Sequence, residues 1–149
     1  MIPFLQKVKV TRIIDGDTIA INQDDEEFII RLLGIDTPET HKKNKPNKFY
    51  NNEFITDINY LKQYGKKAHQ VLANKIFKKK VDLYIDELAP KKGKYNRYLC
   101  YVYKGKHDIN KYMLYKGLVR TYPSPFTKLS EYGYAEQIAK QKRKGLWDL

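Results

Sequence analysis

Between Lys7 and Leu33 the chain carries three short β-branched runs separated by turn residues, and this pattern limits the fold more than any other feature. Val8, Val10, Ile13 and Ile14 come in near alternation, Asp15-Gly16-Asp17 interrupts them, and Thr18 to Asn22 resumes the pattern. Alternation puts every second side chain on one face of a strand, and Asp-Gly is a strong signal for a tight turn between two strands. The polar run Gln23-Asp24-Asp25-Glu26 reads as a second turn and Phe28 to Leu33 as a third strand, ending at Gly34. The first third is thus a three-stranded meander whose apolar face the rest of the chain must cover.

The remainder supplies the cover. Thr40 to Gln63 is rich in lysine and asparagine and contains Pro46, the composition of a long, basic, solvated loop. Phe54, Ile58 and Leu61 have helical spacing and predict a short helix in its second half. Tyr64 to Phe77 then places Ala68, Val71, Leu72 and Ile76 on one helical face. Val81, Leu83 and Ile85 alternate as a fourth strand, Pro90 to Lys94 is a basic loop, and Arg97 to Lys104 is a fifth strand turning at Lys104-Gly105. Asp108 to Lys116 reads as a second helix closed by Gly117, and Glu131 to Lys144 as a third. The pattern predicts an α+β fold: a five-stranded barrel of the oligonucleotide-binding (OB-fold) type with three helices.

A length of 149 residues suits a single domain spanning 1–149. No apolar run approaches the roughly 18 residues that span a bilayer, which rules out a transmembrane helix. Cys100 alone cannot close an intrachain disulfide, and with three scattered histidines it cannot build a zinc site of four protein ligands. Nothing after Met1 resembles a signal peptide, so the chain is expected to stay inside if Met1 is the native start. The net charge of +12 points to a polyanionic partner, and 13 tyrosines offer faces for unpaired bases. A proteome rich in lysine, tyrosine and asparagine explains the composition equally well. Arginine is scarce, however, with five residues among 29 basic ones, so each needs a reason.

Taken alone, Asp15-Gly16-Asp17-Thr18 is a hairpin turn. An EF-hand fragment fails, because the loop's fifth and sixth positions are Ile19 and Ala20, residues of a strand. Arg31 lies inside the apolar strand Phe28 to Leu33, where an unpaired charge would cost several kcal/mol, so an anion must meet it: an internal carboxylate or a ligand. The strand leaves into Asp36-Thr37-Pro38-Glu39, two carboxylates held three residues apart across a proline, or an ordinary polar turn. Lys94-Tyr95-Asn96-Arg97 opens the fifth strand with another rare arginine, whose planar fork can grip two phosphate oxygens.

Together, Asp15-Gly16-Asp17-Thr18, the run Arg31 to Glu39, Tyr64-Gly65-Lys66-Lys67-Ala68, Lys94-Tyr95-Asn96-Arg97 and Gly145-Leu146-Trp147 resemble the staphylococcal nuclease, or thermonuclease, family in order and approximate spacing. The resemblance implies a calcium-dependent phosphodiesterase that cuts DNA and RNA, leaves 3′-phosphate products and acts as a monomer. By matching position, Asp17, Asp36 and the Thr37 backbone carbonyl look like the calcium ligands, Arg31 and Arg97 the phosphate-gripping arginines, and Glu39 the general base. Lys94, Tyr95 and Tyr122 look like substrate contacts, with Phe126 as another candidate stacking ring, because the family's tyrosines after Gly117 do not align without a gap. Asn96 replaces a glycine common in the family, and asparagine tolerates the left-handed backbone this position would need. The Thr40 to Gln63 loop looks longer than in the best-known member. If a leader was removed before Met1, the family likeness implies a secreted or cell-surface protein. The alternative reading is a catalytically inactive OB-fold nucleic-acid binder, whose mark would be loss of an acid or an arginine.

Overall fold

The computed structural model describes residues 1–149. Strands β1 (Ile2–Asp15), β2 (Thr18–Gln23) and β3 (Glu26–Leu32) form the expected meander, and β7 (Lys80–Ile85) and β8 (Tyr98–Lys104) complete a closed five-stranded barrel. Between the two groups lie β4 (Ile35–Asp36), β5 (Tyr50–Asn51), β6 (Glu53–Phe54) and helix α1 (Ile58–Ile76). After β8 come β9 (His107–Asp108), α2 (Ile109–Tyr115), β10 (Arg120–Thr121) and α3 (Leu129–Gln141). Four neighbours in the barrel pair antiparallel, and the parallel pair β3–β8 shuts it at Ile30↔Tyr98, Arg31↔Leu99 and Leu32↔Cys100.

β1 begins at Ile2, five residues before the expected Lys7. Its first half pairs only with β7, so Pro3 lies where one side needs no ladder N–H. Register shifts along both edges let this one strand bend from β7 to β2. Gly16 and Asp17 make the two-residue turn that the Asp-Gly signal predicts, with Asp15 opposite Thr18.

The expected loop from Thr40 to Gln63 is much shorter than its composition suggests. Asp57 caps α1 by accepting from the N–H groups of Asn59 and Tyr60 at 3.0 and 3.1 Å, so the helix starts at Ile58, six residues before Tyr64. Leu61, Gly65, Ala68, Leu72 and Ile76 form its buried stripe. Phe54 does not belong to a helix. It pairs with Tyr50 across the small β5–β6 hairpin, whose flanking residues Phe49 and Ile55 are buried with Leu61, Ala139, Leu146 and Trp147 in a second, smaller core. The main core fills the barrel and the underside of the helices. There Cys100 is fully buried, and burial pushes its thiol up to about 12, so it packs as an apolar residue. Gly117 follows α2 at φ +70°, as its capping role predicts, whereas α3 runs from Leu129 to Gln141 instead of Glu131 to Lys144. No helix is long and apolar enough to cross a membrane.

Two contacts fix the exit of β3. Gly34 has φ +82°, and a Cβ there would meet the Phe126 ring at 2.5 Å, so only glycine serves this turn. Phe126 is consequently buried against Gly34 and Tyr132, which corrects the expectation that it stacks on a base. Fully buried Asn110 then joins β3 to β8: its Nδ2 donates to Leu33 O at 2.9 Å and Cys100 O at 3.1 Å, and its Oδ1 accepts from Val102 N at 3.1 Å. Asn110→Ala removes these partners from Leu33 O and Val102 N in a buried site, while Cys100 O keeps the Leu33 N–H, and each group left unsatisfied costs about 1–3 kcal/mol. Urea unfolding should show a loss of about 3 kcal/mol or more, and an unchanged midpoint would contradict this role.

Candidate active site

Nine residues named from sequence (Asp17, Arg31, Asp36, Thr37, Glu39, Lys94, Tyr95, Arg97 and Tyr122) all line one cavity of about 580 Å³ at the barrel mouth. Asp17 comes from the β1–β2 turn and Arg31 from β3. Asp36 comes from β4, with Thr37 and Glu39 just beyond, Lys94 to Arg97 precede β8, and Tyr122 follows β10.

Arg31 meets the anions its burial demands. Its Nη2 lies 3.3 Å from Asp17 Oδ2 and 3.5 Å from Asp36 Oδ1, and its Nη1 donates to Leu32 O and Ile35 O at 3.0 and 2.6 Å. Asp17 also accepts from the Thr18 hydroxyl at 2.7 Å and from Thr37 N at 3.0 Å, which ties the hairpin turn to the acidic segment. β10 pairs with β4 so that Arg120 stands opposite Asp36, and Arg120 Nε donates to Asp36 Oδ2 at 2.8 Å. Asp36 thus gives one oxygen to each arginine. On the helical side, Gly65 lets α1 approach closely, since a Cβ there would lie 2.6 Å from Pro38 O.

Across the cavity, Tyr95 and Asn96 both have φ +60°. The left-handed turn expected at Asn96 therefore begins one residue earlier. It leaves Tyr95 76% exposed beneath two cations, Arg97 Cζ at 5.3 Å and Lys42 Nζ at 5.5 Å from the ring centroid. Arg97 Nε donates to Lys94 O at 3.1 Å, and its two Nη groups have no protein partner. Tyr122 lies beside both Arg31 and Arg120, at 5.8 and 6.0 Å.

Glu39 is held by its main chain. Its N–H donates to Asn44 Oδ1 at 2.7 Å and its carbonyl accepts from Asn44 Nδ2 at 3.0 Å, while its carboxylate makes no hydrogen bond to protein. Asn44 is 6% exposed, so this clamp is shielded from water. Sequence reading missed Asn44, because one asparagine in a lysine- and asparagine-rich segment carries no signal. It also passed over Arg120, which the scarcity of arginine could have singled out, and Asp15, His41, Lys42, Lys43, Lys45, Lys48 and Phe49 on the cavity wall.

Two carboxyls on the cavity wall are shifted from their ordinary values. Burial raises the Glu39 carboxyl above its ordinary value; Lys48 opposes the rise, and Asp15, Asp17 and Asp36 add to it. Burial and the neighbouring Asp17 likewise raise Asp15, against the Thr40 hydroxyl bond at 3.1 Å and the charges of His41 and His69. Asp17, Asp36 and the Thr37 carbonyl are an all-oxygen donor set of the kind a hard cation takes.

Residues 29–149 match the model of the staphylococcal nuclease homologue family. The chain belongs to the staphylococcal nuclease family. An uncharacterized protein of Methanocaldococcus jannaschii is 40% identical over 94% of this chain and 70% of its own length. The thermonuclease of Staphylococcus hyicus is 32% identical over 95% of this chain and 76% of its own. A Bacillus subtilis protein named endonuclease YncB is 30% identical over 96% of this chain and 62% of its own. The family match includes Arg31 to Glu39 and everything after them, while the Asp17 hairpin lies before its first residue.

A carboxyl whose folded-state pKa is raised costs stability once it ionises, so stability falls as pH rises through that value. Glu39→Gln removes the cost. The variant should melt above the parent at pH 7, and the gap should close as pH falls through the raised value, vanishing below about pH 4 where both states are protonated. A variant melting below its parent at pH 7 would contradict the charge crowding.

Proposed function

We propose that this protein is a calcium-dependent phosphodiesterase that hydrolyses DNA and RNA, preferring single strands and A·T-rich duplex, and leaves 3′-phosphate ends. The observation that carries the reading is one cavity holding an unpartnered carboxylate, Glu39, together with the two free Nη groups of Arg97, with Arg31 fixed between Asp17 and Asp36. The endonuclease and thermonuclease names of its relatives support it.

Asp17, Asp36 and the Thr37 carbonyl would hold the calcium ion, which when bound neutralises charge on a phosphate oxygen. Arg31 and Arg97 bind the phosphate from two sides and stabilise the charge that builds as phosphorus becomes five-coordinate. Glu39 orients the attacking water and takes its proton. The water oxygen bonds to phosphorus, the bond to the 5′ oxygen breaks, and that oxygen is reprotonated from solvent. Tyr95 and Tyr122 offer faces to bases that have left the duplex, and Lys94 meets the backbone.

Purified protein with a single-stranded oligonucleotide is the direct test. Cleavage should be strong with calcium, weak with magnesium and absent in chelator. Glu39→Gln and Arg97→Ala should each lose about 100-fold or more in turnover while still binding the oligonucleotide in chelator. Binding with no cleavage in any metal would leave an inactive nucleic-acid binder. Asn44→Ala, which frees the Glu39 main chain, should lower kcat by up to about 100-fold with little change in KM, and an unchanged kcat would remove the clamp from catalysis.

A further inference from the structure

The β5–β6 hairpin is built at the lip of the cavity and shows its aromatic face to solvent. Two strands of two residues do not hold together alone. This hairpin is anchored from below instead: Phe49 and Ile55 are buried in the second core, Ile55 N donates to Phe49 O at 2.8 Å, and Arg120 Nη1 donates to Lys48 O at 3.3 Å. Phe49 also lines the cavity, so the hairpin is fixed relative to it. Tyr50 stands opposite Phe54 and Asn51 opposite Glu53, and the pleat sends these two pairs to opposite faces. The Tyr50 and Phe54 rings meet edge to face at 5.0 Å yet stay 50% and 47% exposed.

The anchors do not need this pair, and water does not favour it. The segment leading to it is cationic: residues 40–52 contain Lys42, Lys43, Lys45 and Lys48 and no acidic residue, all four lysines line the cavity, and Glu53 of the hairpin lies on the face opposite the rings. Tyr50 lies two residues beyond Lys48, about 7 Å of extended chain. A ring pair at the end of a lysine-lined segment beside a cavity that holds Arg31 and Arg97 matches a strand of bases on an anionic backbone.

We propose that the Tyr50–Phe54 ring pair is a stacking platform for a base of single-stranded nucleic acid whose backbone runs over the lysines of residues 42–48 into the cavity. The proposal rests on the nuclease reading for its substrate class, and it adds a contact away from the reacting phosphate. It makes affinity depend on substrate length, because a short substrate fills the cavity without reaching the hairpin.

The test uses the whole chain in chelator, where binding is read without cleavage. Fluorescence anisotropy compares a twelve-residue oligothymidylate with a thymidine dinucleotide. Tyr50→Thr combined with Phe54→Thr, which keeps strand propensity, should weaken the twelve-mer by roughly tenfold and leave dinucleotide binding and calcium-dependent dinucleotide cleavage unchanged. The ring-conserving pair Tyr50→Phe with Phe54→Tyr should bind as the parent does. A measurement independent of any variant is ultraviolet cross-linking of the parent protein to the twelve-mer carrying 5-iodouracil, which should give adducts at Tyr50 or Phe54. Unchanged twelve-mer affinity, equal weakening of both ligands, or adducts confined to Tyr95 and Tyr122 would overturn the platform. A concentration-dependent dimer that the threonine variant loses, with twelve-mer affinity intact, would assign the face to a second copy and also overturn it. If the parent binds the twelve-mer through these rings but never cuts it, the nuclease reading fails and the platform stands. If the parent cuts the twelve-mer without touching the rings, the platform fails and the nuclease reading stands.

Discussion

A guanidinium group on a barrel strand organises one end of this molecule. Arg31 cannot be buried without anions, and the two it finds come from different parts of the chain, Asp17 in a hairpin turn and Asp36 on the far side of Gly34. Because the same side chain also takes the carbonyls of Leu32 and Ile35, it sets the bend by which β3 leaves the barrel. Arg120 takes the second oxygen of Asp36 and draws β10 against β4. Removing Arg31 would leave Asp17 buried without its cation and Asp36 with Arg120 alone, so the barrel rim and the acidic segment are one electrostatic unit.

The placement of arginine separates structure from surface. Arg31 and Arg97 line the cavity, and Arg120 bonds Asp36 on its wall. The other two are solvent-facing: Arg12 pairs with Glu27 at 2.8 Å and Arg143 with Asp148 at 3.5 Å, where exposure and salt leave such pairs little to contribute. Lysine supplies the diffuse field around the mouth, and arginine the contacts that need a fixed, planar set of donors.

The barrel strands are legible in the sequence because alternation and turn residues act locally, and the need of Arg31 for an anion follows from burial alone. The stretch from Thr40 to Gln63 is not, since its structure depends on distant partners. Phe49 and Ile55 are buried only because Trp147 and Leu146 return from the far end of the chain, and Phe54 fits a helical spacing by coincidence. The alternation understates the length of β1, because Pro3 and the register shifts interrupt it. Of the candidate residues on the cavity wall all but Tyr122 lie in motifs visible in the sequence, while Asn44 and Arg120 act through main-chain and side-chain geometry that only the folded chain creates. Phe126 escapes sequence reasoning for the same reason, as its ring answers to Gly34 across the turn.

The second core also joins segments far apart in sequence: the hairpin base, the first turns of α1 and the closing turn Gly145–Trp147. With six buried residues it is much smaller than the barrel interior, and the indole N–H of Trp147 has no acceptor there. Such a cluster can open as a unit below the cost of global unfolding. Amide protons of the hairpin and of the closing turn would then exchange together, faster than those of the barrel. A proteolytic nick after α3 would be felt at the lip of the cavity, on the opposite side of the sequence, because the two are held by the same few rings.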